Sequence, residues 1–191
     1  MPTRCKLKIV LQVALAFLLV PASLTFAQQN RRDPLNDLEV DKLRDAAQDP
    51  DIRLKLYVEF ARARLDKMQQ VHADPKAQDG DEQTKSALQD FIDIYDELQD
   101  NIDTFADRKD DLRKALKPVI EADTEFGSKL RAFKSSLANS PQEAGKFDFL
   151  LGTALSAVDD GAKNDRELLA QQEETFKHKK KTDHKDSAQR E

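Results

Sequence analysis

The stretch that decides the fold runs from Leu88 to Leu137 and reads LQDFIDIYDELQDNIDTFADRKDDLRKALKPVIEADTEFGSKLRAFKSSL. Apolar residues recur along it at alternating spacings of three and four, which is typical of a helix that packs against other helices. We call these positions the seam. They are Leu88, Phe91, Tyr95, Leu98, Ile102, Phe105, Lys109, Leu112, Leu116, Val119, Asp123, Phe126, Leu130, Phe133 and Leu137. The sequence therefore predicts an all-α protein, an elongated antiparallel helical bundle with coiled-coil-like packing.

Two seam positions and one proline interrupt this pattern. The phase of the seam continues past Pro118, so we expect one long helix with a kink or short break near that proline, because proline lacks the N–H of the helical hydrogen bond. Lys109 and Asp123 are the two seam residues that are not apolar. Asp123 is therefore interpreted either as a buried polar group that fixes register or as a mark of the break.

The N-terminal residues have the three-part layout of a secretory signal peptide. Basic residues at positions 4, 6 and 8 precede an apolar run over residues 9–20, and small residues follow as far as Ala27. We expect cleavage after Ala27 and a secreted or periplasmic mature chain without a transmembrane span. Removal of residues 1–27 takes away the single cysteine, Cys5, and changes the formal net charge from −5 to −8.

The rest of the chain is divided by turn and capping signals. Residues 28–34 are polar, residues 35–176 are predicted to form the helical bundle domain, and residues 177–191 are predicted to be a basic disordered tail because they offer little to bury. Helix starts are expected at Asp49-Pro50 and at Ser140-Pro141, where a capping side chain precedes a proline. A turn is predicted between Ala73 and Asp81, and a loosening of the last helix at Asp159-Asp160-Gly161.

The outward side of the helix that carries the seam is densely acidic, and its central carboxylates are the candidate site. They are Asp93, Asp96, Asp100, Asp103 and Asp107, which we call the acidic face. Three interpretations are open: a solvated helix surface, a divalent cation site, or a docking surface for a basic segment. The helix that follows Pro50 carries more basic than acidic residues, so attraction between charges favours an antiparallel position beside the acidic helix.

The sequence excludes or disfavours several classes of function. An acidic mature chain is unsuited to general nucleic-acid binding, and no catalytic, cofactor-binding or metal-ligating motif is apparent, so neither an enzyme nor a cofactor is expected. The preferred hypothesis is an exported helical protein that acts through contacts with protein, either itself or an envelope component, as a scaffold, adaptor or holding factor. The tail could add weak electrostatic contact. The alternative is a carrier of a small molecule or a divalent cation, in a bundle groove or on the acidic face.

Overall fold

Five α-helices form the part of the chain that the computed structural model describes, residues 33–188, with side chains as far as Lys177. They are α1 (Asp37–Asp45), α2 (Pro50–Ala73), α3 (Gly80–Asp107), α4 (Leu116–Ser136) and α5 (Pro141–Ala188), and a 3-10 turn over Leu137–Asn139 joins the last two. The predicted all-α helical bundle is confirmed. Across the described residues no helix combines the length and the apolar character needed to cross a membrane. The predicted signal peptide, residues 1–27, lies outside the described residues.

The helix starts follow local capping chemistry. The Asp49 side chain accepts a hydrogen bond of 3.1 Å from the N–H of Ile52, and Pro50 is the first residue of α2, as predicted. At α1, Asn36 and Glu39 form a reciprocal capping box, in which each side chain accepts from the other's backbone N–H. These contacts satisfy N–H groups of the first turn, which have no partner within their own helix.

Helices α2 to α5 occupy the four corners of the bundle. Helix α2 packs against α3 and α4, α5 packs against the same two helices, and the backbones of α3 and α4 do not touch, so these two lie at opposite corners. Side-chain pairs between α2 and α4 join residues that are 63 apart, namely Arg62 with Glu125 and Asp66 with Lys129, and Asp51 pairs at the same separation with Lys114, just before α4. A constant separation means that α2 and α4 run parallel.

The same reasoning shows that α3 and α5 are parallel. Lys146 pairs with Asp81 over a separation of 65 residues, and Gln99 with Asp165 over 66. Among helices α2 to α5, the sequence-adjacent pairs α2–α3 and α4–α5 are antiparallel. The expectation of an antiparallel bundle is therefore correct for the two hairpins and wrong for the contacts between them.

The expected single helix kinked near Pro118 is wrong, because the chain leaves the helix ten residues earlier and turns back. Lys109 adopts a left-handed conformation with φ of 63°. The N–H of Asp110 donates to the carbonyl oxygen of Phe105 at 3.1 Å, and the N–H of Lys109 donates to that of Ala106 at 2.9 Å. This is the Schellman arrangement that ends helices. Pro118 is the third residue of α4, where proline's missing N–H has no helical partner to lose.

The segment over residues 108–115, which we call the crossing segment, carries the chain across the end of the bundle to the diagonal corner. Leu112, in its centre, is fully buried. Its N–H donates to Gln172 Oε1 of α5 at 2.7 Å, and Gln172 Nε2 donates to the carbonyl oxygen of Asp110 at 3.1 Å. A side chain of α5 therefore satisfies an N–H and a carbonyl oxygen of the crossing segment that have no partner within a helix.

Reversal of the chain brings the two halves of the seam face to face in one core. The rings of Phe91 and Phe126 meet edge to face with centroids 5.4 Å apart, and Tyr95 lies 6.4 Å from Phe126. Every seam residue is buried except Lys109, which lies in the break. The seam prediction is thus confirmed for burial, although its residues belong to two helices that run in opposite directions.

The C-terminal part of α5 differs from the sequence expectation. Disorder was predicted over residues 177–191, but the backbone is helical as far as Ala188. Asp159-Asp160-Gly161 does not interrupt the helix either. Adding residues to an existing helix avoids the cost of nucleation, and the lysines of this segment favour the helical state. Burial is therefore not required for this segment to continue the helix.

Replacement of Lys109 with glycine is expected to raise the free energy of unfolding by about 1 kcal/mol, because a β-carbon disfavours the left-handed conformation. Chemical denaturation of the wild type and the variant measures the change. The matched control is Lys134→Gly, at an exposed position inside α4, which is expected to lower stability by about 1 kcal/mol. Equal destabilisation by both substitutions would contradict the position of the break.

Candidate functional site

The acidic face lies on the outward side of α3, as predicted. Asp96, Asp100, Asp103 and Asp107 are exposed, and Asp93 is half-buried. Asp93 accepts a hydrogen bond of 2.8 Å from Gln89 on its own helix. Among the described side chains, no basic group lies within ion-pair distance of these five carboxylates.

Several carboxylates elsewhere in the bundle have basic partners. Glu39 of α1 binds Arg64 at 2.5 Å, Glu125 of α4 binds Arg62 at 2.8 Å, and Asp159 of α5 binds Arg131. Arg62 and Arg64 of α2 therefore pair with carboxylates of α4 and α1 and not with the acidic face. Helix α2 does lie antiparallel beside α3, but apolar contacts hold it there, and the expected charge pairing between the two helices is not formed.

Mutual repulsion is built into the acidic face. Desolvation raises the pKa of Asp96, and the negative charges of Asp93 and Asp100 raise this pKa further. A bound cation or a basic side chain would relieve this repulsion. Binding of a positively charged group to the acidic face is therefore electrostatically favourable.

A second polar cluster lies inside the bundle, where three helices meet. Asp123 of α4 and Asp165 of α5 are 2% and 1% exposed, and we call them the buried carboxylate pair. Tyr95 Oη donates to Asp123 Oδ1 at 2.8 Å, and Gln99 Nε2 donates to Asp165 Oδ2 at 3.2 Å. The two carboxyl groups lie close enough for each to change the pKa of the other. Asp123 therefore acts as a buried polar group and does not mark the break.

The buried carboxylate pair keeps a proton to a higher pH than exposed aspartates do. Asp123 Oδ2 receives no N–H or O–H donor from the other described side chains, and two ionised carboxylates can only accept. Burial raises the pKa of Asp123 to about 6. Burial and the negative charge of Asp123 together raise the pKa of Asp165 to about 7, although the hydrogen bond from Gln99 opposes the shift. A proton on Asp165 supplies the donor that the pair needs.

Gly161 gives Tyr95 the space to reach Asp123. A β-carbon at position 161 would lie 2.3 Å from Tyr95 Oη and 3.0 Å from Gln99 Nε2. Glycine inside a helix is otherwise unfavourable by about 1 kcal/mol relative to alanine. This glycine is therefore explained by close packing of α3 on α5 and not by a helix end.

The described residues include no group of three or more histidine, cysteine, aspartate or glutamate side chains arranged to hold a metal ion. A groove of about 560 Å³ lies on the surface between the end of α4 and the start of α5. Leu137, Ala144 and Leu151 form its apolar part, and Arg131 and Lys134 lie at its polar side. It is the place where the described bundle could take an amphipathic molecule.

Comparisons with protein families, with curated proteins and with solved structures give no match for this chain.

Sequence reasoning identified one member of the buried carboxylate pair and missed the other. Asp123 stood out as a polar residue on the seam. Asp165 continues the buried stripe of α5 formed by Leu151, Ala154 and Val158, at the same spacings of three and four, so this stripe carried an equivalent signal. The pairing of the two aspartates could not be read from spacing, because it depends on how α4 and α5 pack.

Replacement of Gly161 with alanine is expected to destabilise the bundle by about 1–3 kcal/mol, because the new methyl group overlaps the Tyr95 hydroxyl. Tyr95→Phe in the same chain removes that hydroxyl and should restore part of the loss, so a double-mutant cycle measured by chemical denaturation should give a clear coupling energy.

Gly152→Ala is the matched control, since nothing lies within 4 Å of a β-carbon at that position. It should stabilise α5 by about 1 kcal/mol. Independent, additive effects of the Gly161 and Tyr95 substitutions would show that the two residues are not in close contact.

Proposed function

We propose that this chain is an exported, non-enzymatic helical protein that acts through surface contacts, as a scaffold, adaptor or holding factor in the cell envelope. Its acidic face binds a basic segment of a partner protein, which is a second copy or another envelope component. The signal-peptide pattern of residues 1–27 supports export.

The observation that carries this proposal is the concentration of unpaired carboxylates on one side of α3. Glu39 of α1, Glu125 of α4 and Asp159 of α5 have arginine partners, whereas none of the five carboxylates of the acidic face has a basic partner among the described side chains. Unpaired charge of one sign on a helix surface attracts a partner of opposite charge and orients it before contact. A face of this kind favours recognition of a basic segment over intramolecular stabilisation.

The test is capture of partners from envelope extract by the full chain and by the variant Asp96→Asn, Asp100→Asn, Asp103→Asn. The wild type should retain a basic protein that elutes as salt is raised, because screening weakens exposed charge contacts. The triple variant should lose this protein. Its melting temperature should not fall, since the substitutions remove repulsion between exposed groups.

The matched control is Asp45→Asn, Asp148→Asn, Asp160→Asn, which removes the same charge from exposed positions on α1 and α5. It should retain the partner. Equal loss from both variants would show a response to net charge alone, and retention by both would remove the acidic face from the proposal. A substrate turned over by the purified chain would overturn the non-enzymatic assignment.

The carrier hypothesis is favoured by one observation, the groove of about 560 Å³ whose apolar residues adjoin Arg131 and Lys134. This combination suits a molecule with an apolar body and an anionic group. A saturating fatty acid would raise the melting temperature if it bound only the folded chain. Ala144→Asp, at a half-buried position that lines the groove, should abolish such a rise. An unchanged melting temperature in the wild type would remove this hypothesis.

A further inference from the structure

We propose that the buried carboxylate pair is a pH-responsive latch, in which a proton shared by Asp123 and Asp165 holds α5 against α3 and α4 and its loss loosens α5. The latch does not require a bound partner, although the charge of Asp103 on the acidic face helps to raise the pKa of Asp165. It depends on side chains that three helices contribute to one point in the core.

The geometry makes the latch a junction between helices. Helix α3 supplies Tyr95 and Gln99, α4 supplies Asp123, and α5 supplies Asp165. Beside it, α5 presents Gly161, so the ring of Tyr95 packs on bare backbone. Without a side chain at position 161, the polar contacts of Asp165 contribute much of what holds this turn of α5 in place.

No cation inside the core compensates the pair when both carboxyls are ionised. Helix α3 adds Asp96 and Asp103, whose charges are of the same sign. Helix α5 adds Arg166, which favours ionisation of Asp123. However, Arg166 is exposed, and it donates to the carbonyl oxygen of Ala162 at 2.9 Å and lies 3.5 Å from Thr124 Oγ1.

Helix α2 offers nothing to neutralise the pair. The separation of 63 residues between α2 and α4 places Phe60 and Ala61 at the level of Asp123, and both are buried and uncharged. Tyr57, one turn away, receives its hydrogen bond from Arg53. Loss of the shared proton would therefore leave two negative charges in the core. Their hydrogen-bond donors would be the Tyr95 hydroxyl and the Gln99 amide. Burial of charge without a compensating cation is unfavourable, so this loss would destabilise the folded chain.

The sign of the pH dependence follows from the pKa values. An aspartate in an unfolded chain has a pKa of about 3.9, whereas burial raises the pKa of Asp123 to about 6 and that of Asp165 to about 7. Between these values the folded chain holds more protons than the unfolded chain. The contribution of the pair to stability is therefore complete below pH 4 and is lost as the pH rises through 6 and 7.

The experiment compares melting temperatures of the full wild-type chain and of Asp165→Asn between pH 5 and pH 8. The amide of asparagine can donate to Asp123 without a titrating proton. From pH 5 to pH 8 the wild type should lose about 5 °C relative to the variant. Asp160→Asn, at an exposed position on the same helix, is the control and should follow the wild type.

Hydrogen exchange, corrected for the intrinsic effect of pH, locates the change. Above pH 7 the wild type should exchange faster around Gly161–Arg166 of α5, and Asp165→Asn should not. Parallel melting curves of wild type and variant across this pH range would overturn the proposal. If Asp165→Asn does not fold, Asp123→Asn replaces it, and carboxyl NMR of the wild type that shows both aspartates ionised at pH 5 would also overturn it.

Discussion

One constraint organises the bundle: the apolar sides of α3 and α4 must fill the same core. Contiguous seam residues on one straight helix could not meet each other, so the chain has to reverse between Asp107 and Leu116. Left-handed Lys109 ends α3, and burial of Leu112 fixes the crossing segment across the end of the bundle. The remaining two corners are then occupied by α2 and α5, each of which packs against both seam helices.

The spacing of apolar residues predicted which side chains are buried but not where the chain reverses. Apolar residues recur at spacings of three and four, without a shift in register, on both sides of the crossing segment. This spacing therefore cannot distinguish one long helix from two helices that face each other. The two seam residues that are not apolar lie at the two features that the spacing alone does not reveal. Lys109 lies in the break between α3 and α4, and Asp123 belongs to the buried carboxylate pair. Pro118 was misleading, because proline is as well suited to a first turn as to a kink.

The packing of the helices determines which charged residues pair with each other, and these pairs could not be predicted from the sequence. Basic residues of α2 are nearest in sequence to the acidic residues of α3, but a helix presents each side chain in one direction only. Arg62 and Arg64 point to α4 and α1, where Glu125 and Glu39 receive them. The acidic face therefore remains exposed to solvent. This candidate site lies on the surface of a single helix, so it could be predicted from the sequence. The pair of Asp123 and Asp165 could not, because it forms only when α4 and α5 pack together.

The crossing segment also has a consequence for how the molecule assembles. Short turns join α2 to α3 and α4 to α5, whereas the helix pairs α2–α4 and α3–α5 are held by contacts between residues 63 to 66 apart. Local contacts form before distant ones because they close shorter loops. Each half therefore folds as a helical hairpin first, and residues 108–115 act as the tether that keeps the second hairpin near the first until they dock.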